Sequence, residues 1–284
     1  IGFFGFSQKI KERKIEKIIN ESAVFDRSHV SISLQPVGQI GKSFKGFQTS
    51  KYMTPASNNK LLTFLATIET FDSIPVINYL KIDDTLHIEP TGYPLLYHPI
   101  YPDNEMENFL NSFKNIVLHW SKNKVIKYGQ GWAWDDYKYD FSAEKSSFPV
   151  FGNLVKFFKN ESEQIISLPP NFETIIDPTI KNKVQRNESD NIYSINPYLL
   201  SQLDTLYLPF KTSRDVTREI LEKNLNAEIK EVYNDRMNFG SLNLKNPEKI
   251  YRALLWDSNN LVAESLLLMS GKKLNNEFST SKAI

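Results

Sequence analysis

Cysteine is absent from the 284 residues. This excludes a thiolate nucleophile, Cys-ligated zinc and any disulfide framework, and leaves the chain free to work in an oxidising compartment. Long apolar runs are absent too. No stretch approaches the roughly 18 residues that a membrane-spanning helix needs. Charge of one sign is also missing: 34 Lys plus Arg stand against 33 Asp plus Glu, so no broad field gathers nucleic acid or an acidic membrane. The four histidines, His29, His87, His98 and His119, follow no metal-ligand spacing. "GQGWAW" lacks the third glycine of a dinucleotide fingerprint, and the sequence has no P-loop.

What is present suits a folded protein of one or two domains: 40% hydrophobic residues, with 19 Phe, 13 Tyr and 4 Trp to fill sheets and grooves. The opening "IGFFGFSQ" is apolar but short and has no basic n-region. It is either the tail of a trimmed signal or an end that packs on the fold. "KIKERKIEKIINES" sets Ile10, Ile15, Ile18 and Ile19 near helical spacing and predicts an amphipathic helix. "HVSISLQPV" alternates Val30, Ile32 and Leu34 and predicts a strand, with "IGKSFKGFQTSKYM" as its hairpin partner. In "TPASNNKLLTFLATIETF" Pro55 suits a first helical turn. Leu61, Phe64, Leu65 and Ile68 then recur at i, i+3, i+4 and i+7, predicting a helix that buries that face. From 74 to 205, Pro and Asn punctuate short apolar pieces, which reads as a long β-rich segment. Helical spacing returns at 212–225, followed by a strand-like "AEIKEVYN". A last helical region, "NPEKIYRALLWDSNNLVAESLLLMSGKK", is broken around Asp257–Asn260.

The S-x-x-K spacing occurs five times, starting at Ser57, Ser121, Ser142, Ser270 and Ser279. Only Ser57 combines a preceding Pro, a helix start and a long apolar helical pattern behind it. Residues at i and i+3 of a helix project from the same side. A neutral lysine amine there can take the serine proton, and burial with the positive helix end favours that neutral form. The other reading of Ser57 and Lys60 is a solvated polar first turn, and the residues alone leave both open. A literal S-D-N stands at Ser189–Asn191, but its charged surroundings predict a hairpin tip. Ser258 and Asn260, in the break between two apolar helical pieces, are better placed to hold a hydroxyl and an amide beside another helix. Their alternative is a helix–helix turn capped by Asp257 or Ser258.

"KYMTPASNNKLLTFLATI" followed far downstream by "IYRALLWDSNNLVAESLLLM" resembles the low-molecular-mass class C penicillin-binding proteins, the D-alanyl-D-alanine carboxypeptidase/endopeptidase family. "GQGWAWDDYKYDFSAEKSSFPVFGN" (129–153) is similar to the Gly/Trp/Asp segment of that family's inserted domain. "EPTGYPLLYHP" (89–99) is similar to its Gly-Asp-Pro region, with Tyr93 where Asp is usual. The resemblance implies an α+β, multidomain fold: a split transpeptidase-like domain of the serine β-lactamase type at 1–73 and 206–284, interrupted by a β-rich insertion at 74–205. It implies Ser57 as the acylated nucleophile, Lys60 as its general base, Ser258 as proton relay and Asn260 as the substrate-binding amide that also orients Lys60. No metal and no cofactor is implied. The implied partners are peptidoglycan stem peptides and β-lactam antibiotics, not nucleic acid. The implied location is the periplasm after export, with room for peripheral membrane association.

One part of the pattern is missing. The family's Lys-Thr/Ser-Gly strand should follow S-x-N by well over a hundred residues, whereas 24 residues follow Asn260 here. "KTS" at 211–213 precedes it, lacks the Gly and is expected to open a helix. The expectation is therefore a fragment of a longer protein. The leading function is serine D-alanyl-D-alanine carboxypeptidase/endopeptidase, inhibited by penicillin. The alternative is a non-catalytic wall-binding or assembly protein that keeps the fold, and a β-lactamase or esterase is a third class. Trp132 and Trp134 could form a glycan-stacking platform but are expected to pack as buried aromatics. Of the two acid pairs that a hydrolase could use, Asp83–Asp84 is expected to form a turn and Asp135–Asp136 to support the Trp segment.

Overall fold

A computed structural model of the chain describes residues 12–35, 38, 45–233 and 237–283. The opening "IGFFGFSQ" and Ile10 lie outside these residues, as does part of the loop of the first hairpin. The described residues fall into two compact units, one within 1–56 and one within 57–284.

The first unit holds helix α1 (Glu12–Asn20) and the strands β1 (Ile32–Leu34) and β2 (Lys45–Phe47). The expected hairpin is present: β1 and β2 pair antiparallel, with Ile32 opposite Phe47. Of the predicted apolar stripe on α1, Ile19 is buried, Ile15 half-buried and Ile18 exposed.

The second unit begins with helix α2 (Lys60–Thr70). It continues through β3 (Pro75–Ile82), β4 (Thr85–Pro90), helix α3 (Asn104–Asn111), β5 (Asn115–Trp120), β6 (Leu154–Lys159), β7 (Ile165–Leu168), β8 (Thr174–Ile176), β9 (Val184–Arg186), β10 (Tyr193–Ile195) and β11 (Thr205–Pro209). It closes with α4 (Arg214–Leu225), β12 (Glu228–Tyr233), β13 (Gly240–Asn243), α5 (Glu248–Leu255) and α6 (Asn260–Asn275). Among the described residues the largest sheet has the order β12-β5-β4-β3-β13. β12, β5 and β4 run parallel, and β3 and β13 complete it antiparallel. This sheet takes strands from both sides of residue 205. The parallel strands explain the apolar character of "NIVLHW", since such strands are covered on both faces; Ile116 and Leu118 are buried. Two three-stranded sheets, β11-β6-β7 and β8-β10-β9, stand between β5 and β12 in sequence.

Several local expectations hold. The Asp83–Asp84 turn joins β3 to β4, with Asp83 at φ 52°. Ser189–Asn191 lies in the connection between the antiparallel strands β9 and β10. Ser213 of "KTS" caps α4 by accepting from Val216 N. Tyr93, where the resembled family has Asp, is buried and donates its hydroxyl to Asp103 Oδ2 at 2.9 Å. Asp103 is itself the N-cap of α3.

Two expectations are corrected. On α2 the side of Leu61, Leu65 and Ile68 is exposed, and the buried residues are Lys60, Thr63 and Thr67. Small Thr side chains permit close packing of α2 on α6, and the Thr67 hydroxyl is satisfied within the helix by donating to Thr63 O at 2.8 Å. Only Phe64 of the predicted apolar stripe packs inward, edge-on to Tyr251 with ring centroids 4.8 Å apart. The second correction is Trp134, which is 75% exposed. It lies on a short 3₁₀ turn, Trp134–Lys138, whose Tyr137 packs under Arg186 while the Trp134 side chain faces outward. Trp132 is half-buried beside Gly129, where a Cβ would lie 2.4 Å from its indole nitrogen.

Candidate active site

The chain enters the site through Ala56, whose φ of 44° turns it into a 3₁₀ turn at Ala56–Asn59. α2 follows at once with Lys60. Ser57 is exposed, whereas Lys60 is buried to 9% exposure. Lys60 Nζ lies 3.3 Å from Ser57 Oγ. The i, i+3 relation read from the sequence thus becomes a hydrogen bond, with the hydroxyl facing solvent and the amine behind it.

The second half of the site comes from the break between α5 and α6. α5 ends at Leu255, Ser258 takes the left-handed conformation (φ 55°), and Asn259 caps α6 by accepting from Val262 N at 3.0 Å. The cap is therefore Asn259, not Asp257 or Ser258. This leaves the Asn260 side chain free for other work. Asn260 Oδ1 accepts from Lys60 Nζ at 2.6 Å, and its Nδ2 donates to Phe141 O at 3.0 Å. Phe141 belongs to a 3₁₀ turn, Asp140–Ser142, inside the Trp-containing segment. The amide of Asn260 is thereby oriented from both ends, and a donor bond to a backbone carbonyl fixes which end faces the lysine.

Of the predicted site residues, Ser57, Lys60 and Asn260 are linked into one chain of contacts. Ser258 is half-buried two residues from Asn260, but among the described residues its hydroxyl makes no hydrogen bond to the other three. The remaining S-x-x-K serines have different surroundings. Ser270, for example, is buried inside α6 and donates to Leu266 O at 2.9 Å.

The electrostatics of Lys60 suit proton transfer. Burial lowers its pKa below the ordinary lysine value, opposed by the negative charge of Glu264. Glu264 stands four residues after Asn260 on α6 and pairs with Lys145, Nζ to Oε2 3.1 Å. The pattern of residues along the sequence did not reveal Phe141, Glu264 or Lys145. Glu264 could have been found from the i, i+4 spacing on α6, but Phe141 and Lys145 arrive from 119 residues away. His87 and His119, which follow no metal-ligand spacing in the sequence, lie together on the neighbouring strands β4 and β5, Nδ1 to Nε2 2.9 Å.

No family model matches the chain, and no curated protein matches it. Among solved structures it is similar to penicillin binding protein 4 (dacB) from Haemophilus influenzae, with a TM-score of 0.57 and 16% identity over 84% of this chain and 62% of that one. A second structure of that protein, complexed with a novel β-lactam, matches with a TM-score of 0.49 and 14% identity over 79% and 57%. The chain thus spans less than two thirds of the length of the structures it matches. The likeness shows the fold: the chain has the α+β, transpeptidase-like fold of a low-molecular-mass class C penicillin-binding protein, as the sequence motifs led one to expect.

Proposed function

We propose that this chain belongs to a serine D-alanyl-D-alanine carboxypeptidase/endopeptidase that hydrolyses peptidoglycan stem peptides through an acyl-enzyme on Ser57. The observation that carries this reading is a single nitrogen. Lys60 Nζ is within hydrogen-bond distance of both Ser57 Oγ and Asn260 Oδ1, residues that come from opposite ends of the second unit. The likeness to a protein named for penicillin binding supports the same reading.

The contacts of Lys60 with Ser57 and Asn260 support the following chemistry. A serine hydroxyl is a weak nucleophile until a neighbouring base takes its proton. The neutral amine of Lys60, favoured by burial, accepts that proton as Ser57 Oγ bonds to the carbonyl carbon of the penultimate D-Ala. The C–N bond to the terminal D-Ala then breaks, and the departing amine takes the proton held by Lys60; a relay through Ser258 rests on the resemblance of the motifs alone. Water next attacks the ester, giving its proton to Lys60, and Ser57 leaves with a proton restored. Asn260 keeps Lys60 in place and offers its amide to the substrate's peptide group. A β-lactam would be attacked the same way but leave a slowly hydrolysed ester. Such a reaction belongs in the periplasm, and no described helix is long and apolar enough to cross a membrane.

A fluorescent penicillin incubated with the full-length protein tests the proposal. The expected result is a covalently labelled band that disappears in Ser57→Ala. A folded protein that takes no label would instead support a wall-binding role without catalysis.

A further inference from the structure

Lys145 has no part in the reaction just described, yet among the described residues it is one of the most buried charged side chains, 3% exposed. Its ammonium reaches Glu264 Oε2 at 3.1 Å. Glu264 sits one helical turn beyond Asn260 and acts electrostatically on Lys60. The Lys145–Glu264 pair thus lies one turn of α6 from Asn260, whose amide accepts from Lys60 Nζ and donates to Phe141 O.

The segment that supplies Lys145 is fixed on both sides. Glu144, also 3% exposed, accepts from Lys127 Nζ (2.9 Å), Tyr128 Oη (2.9 Å), Thr212 N (2.6 Å) and Thr212 Oγ1 (2.8 Å). Asn153 Nδ2 donates to Glu144 O at 2.7 Å and to Ser146 Oγ at 3.1 Å. Lys145 N donates to Lys127 O at 2.8 Å. So many bonds in three consecutive residues leave the Lys145 side chain little freedom, and a buried ammonium without a partner is strongly unfavourable.

We propose that Lys145 is a positioning residue for Lys60, pairing with Glu264 so that Lys60 stands beside a compensated ion pair instead of a bare carboxylate. The proposal rests on the reading of Lys60 as the general base. Lys273 of α6 lies over the Phe71 ring just past the far end of α2, where Glu69 also stands. Tyr251 of α5 packs on Phe64, and Asp140 of the Asp140–Ser142 turn acts on Tyr207. Glu264 is the charged group that acts on Lys60, and Lys145 is the cation paired with it.

The test measures Lys60 directly, whether or not the protein is an enzyme. Trace acetylation with limiting acetic anhydride across a pH series, read by mass spectrometry on the peptide containing Lys60, gives the titration of that amine. In Lys145→Met the uncompensated Glu264 should raise the Lys60 midpoint by about one pH unit. Glu264→Gln should move it the opposite way, and the double variant should return close to the wild type. An unmoved midpoint in Lys145→Met, or shifts of the same sign in both single variants, overturns the proposal, since mere loosening of the site gives no reversal. Should Lys145→Met fail to fold, Lys145→Gln, which keeps a hydrogen-bonding partner for Glu264 without the charge, carries the test: a raised midpoint supports the pairing and an unmoved one overturns it. The functional reading is separated by penicillin labelling of the wild type. Midpoints that move in an unlabelled protein keep the charge network and reject the enzyme. Labelling with unmoved midpoints does the reverse.

Discussion

Asn260 serves two partners with one amide, accepting from Lys60 and donating to Phe141 O. Replacing it with Ala removes the amide that accepts from Lys60, the proposed base, while the helix cap at Asn259 is retained. Asn260→Ala should therefore fold normally but acylate with penicillin on the order of 10²-fold more slowly, since small misplacements of a catalytic group have effects of that size. Stopped-flow measurement of acylation checks this, and an unchanged rate would remove Asn260 from the mechanism. The residues that local spacing could reveal were legible. Ser57 and Lys60 are three apart at a helix start, and Ser258 and Asn260 mark a break between two apolar helices. Phe141 and Lys145 were not legible, because they meet the site only through space and no local pattern encodes a contact across 119 residues.

The helices and strands that carry these residues were legible in kind but less so in orientation. The break at Asp257–Asn260 is where α5 and α6 part. The apolar periodicity of α2 correctly gave a helix yet pointed to the wrong face: Lys60 turns inward to its partners Ser57 and Asn260, and Thr63 and Thr67 lie on the same buried side. α6 contains a sharper constraint. A Cβ on Gly271 would lie 2.2 Å from Ser279 O, a backbone atom that cannot rotate away. Gly271→Ala should destabilise the protein by about 1–3 kcal/mol, the usual cost of overpacking, read as a lowered denaturation midpoint. The Glu144 knot gives a pH signature. Burial alone would raise the Glu144 pKa, but the bonds from Lys127 and Thr212 outweigh it and hold it below the ordinary 4.5. A depressed carboxylate stabilises the folded state above its unfolded pKa and loses that contribution as pH falls through the folded value. Glu144→Gln should accordingly be less stable than the wild type at neutral pH, with the difference shrinking as pH drops below about 4.5. Denaturant titrations at pH 7 and in acid compare the two, and a constant difference would contradict the assignment.

At the scale of the molecule, the alternation of strand-like and helical stretches was readable, but the pairing of strands was not. β12 joins β5 in parallel across more than a hundred residues, and β13 closes on β3. Sheet order of this kind depends on which faces are covered in the finished fold, which composition along the chain does not record. The same folding brings the start of α2 against the start of α6 and places the Trp-containing segment against α6. The central claim is that this convergence makes Ser57 a nucleophile with Lys60 as its base. Its most direct test is mass spectrometry of the full-length protein after incubation with benzylpenicillin and trypsin digestion. The account predicts one penicilloyl adduct, on the Tyr52–Lys60 peptide, absent from Ser57→Ala and formed far more slowly in Lys60→Ala. An adduct on any other peptide, or one on this peptide that survives Ser57→Ala, would contradict it.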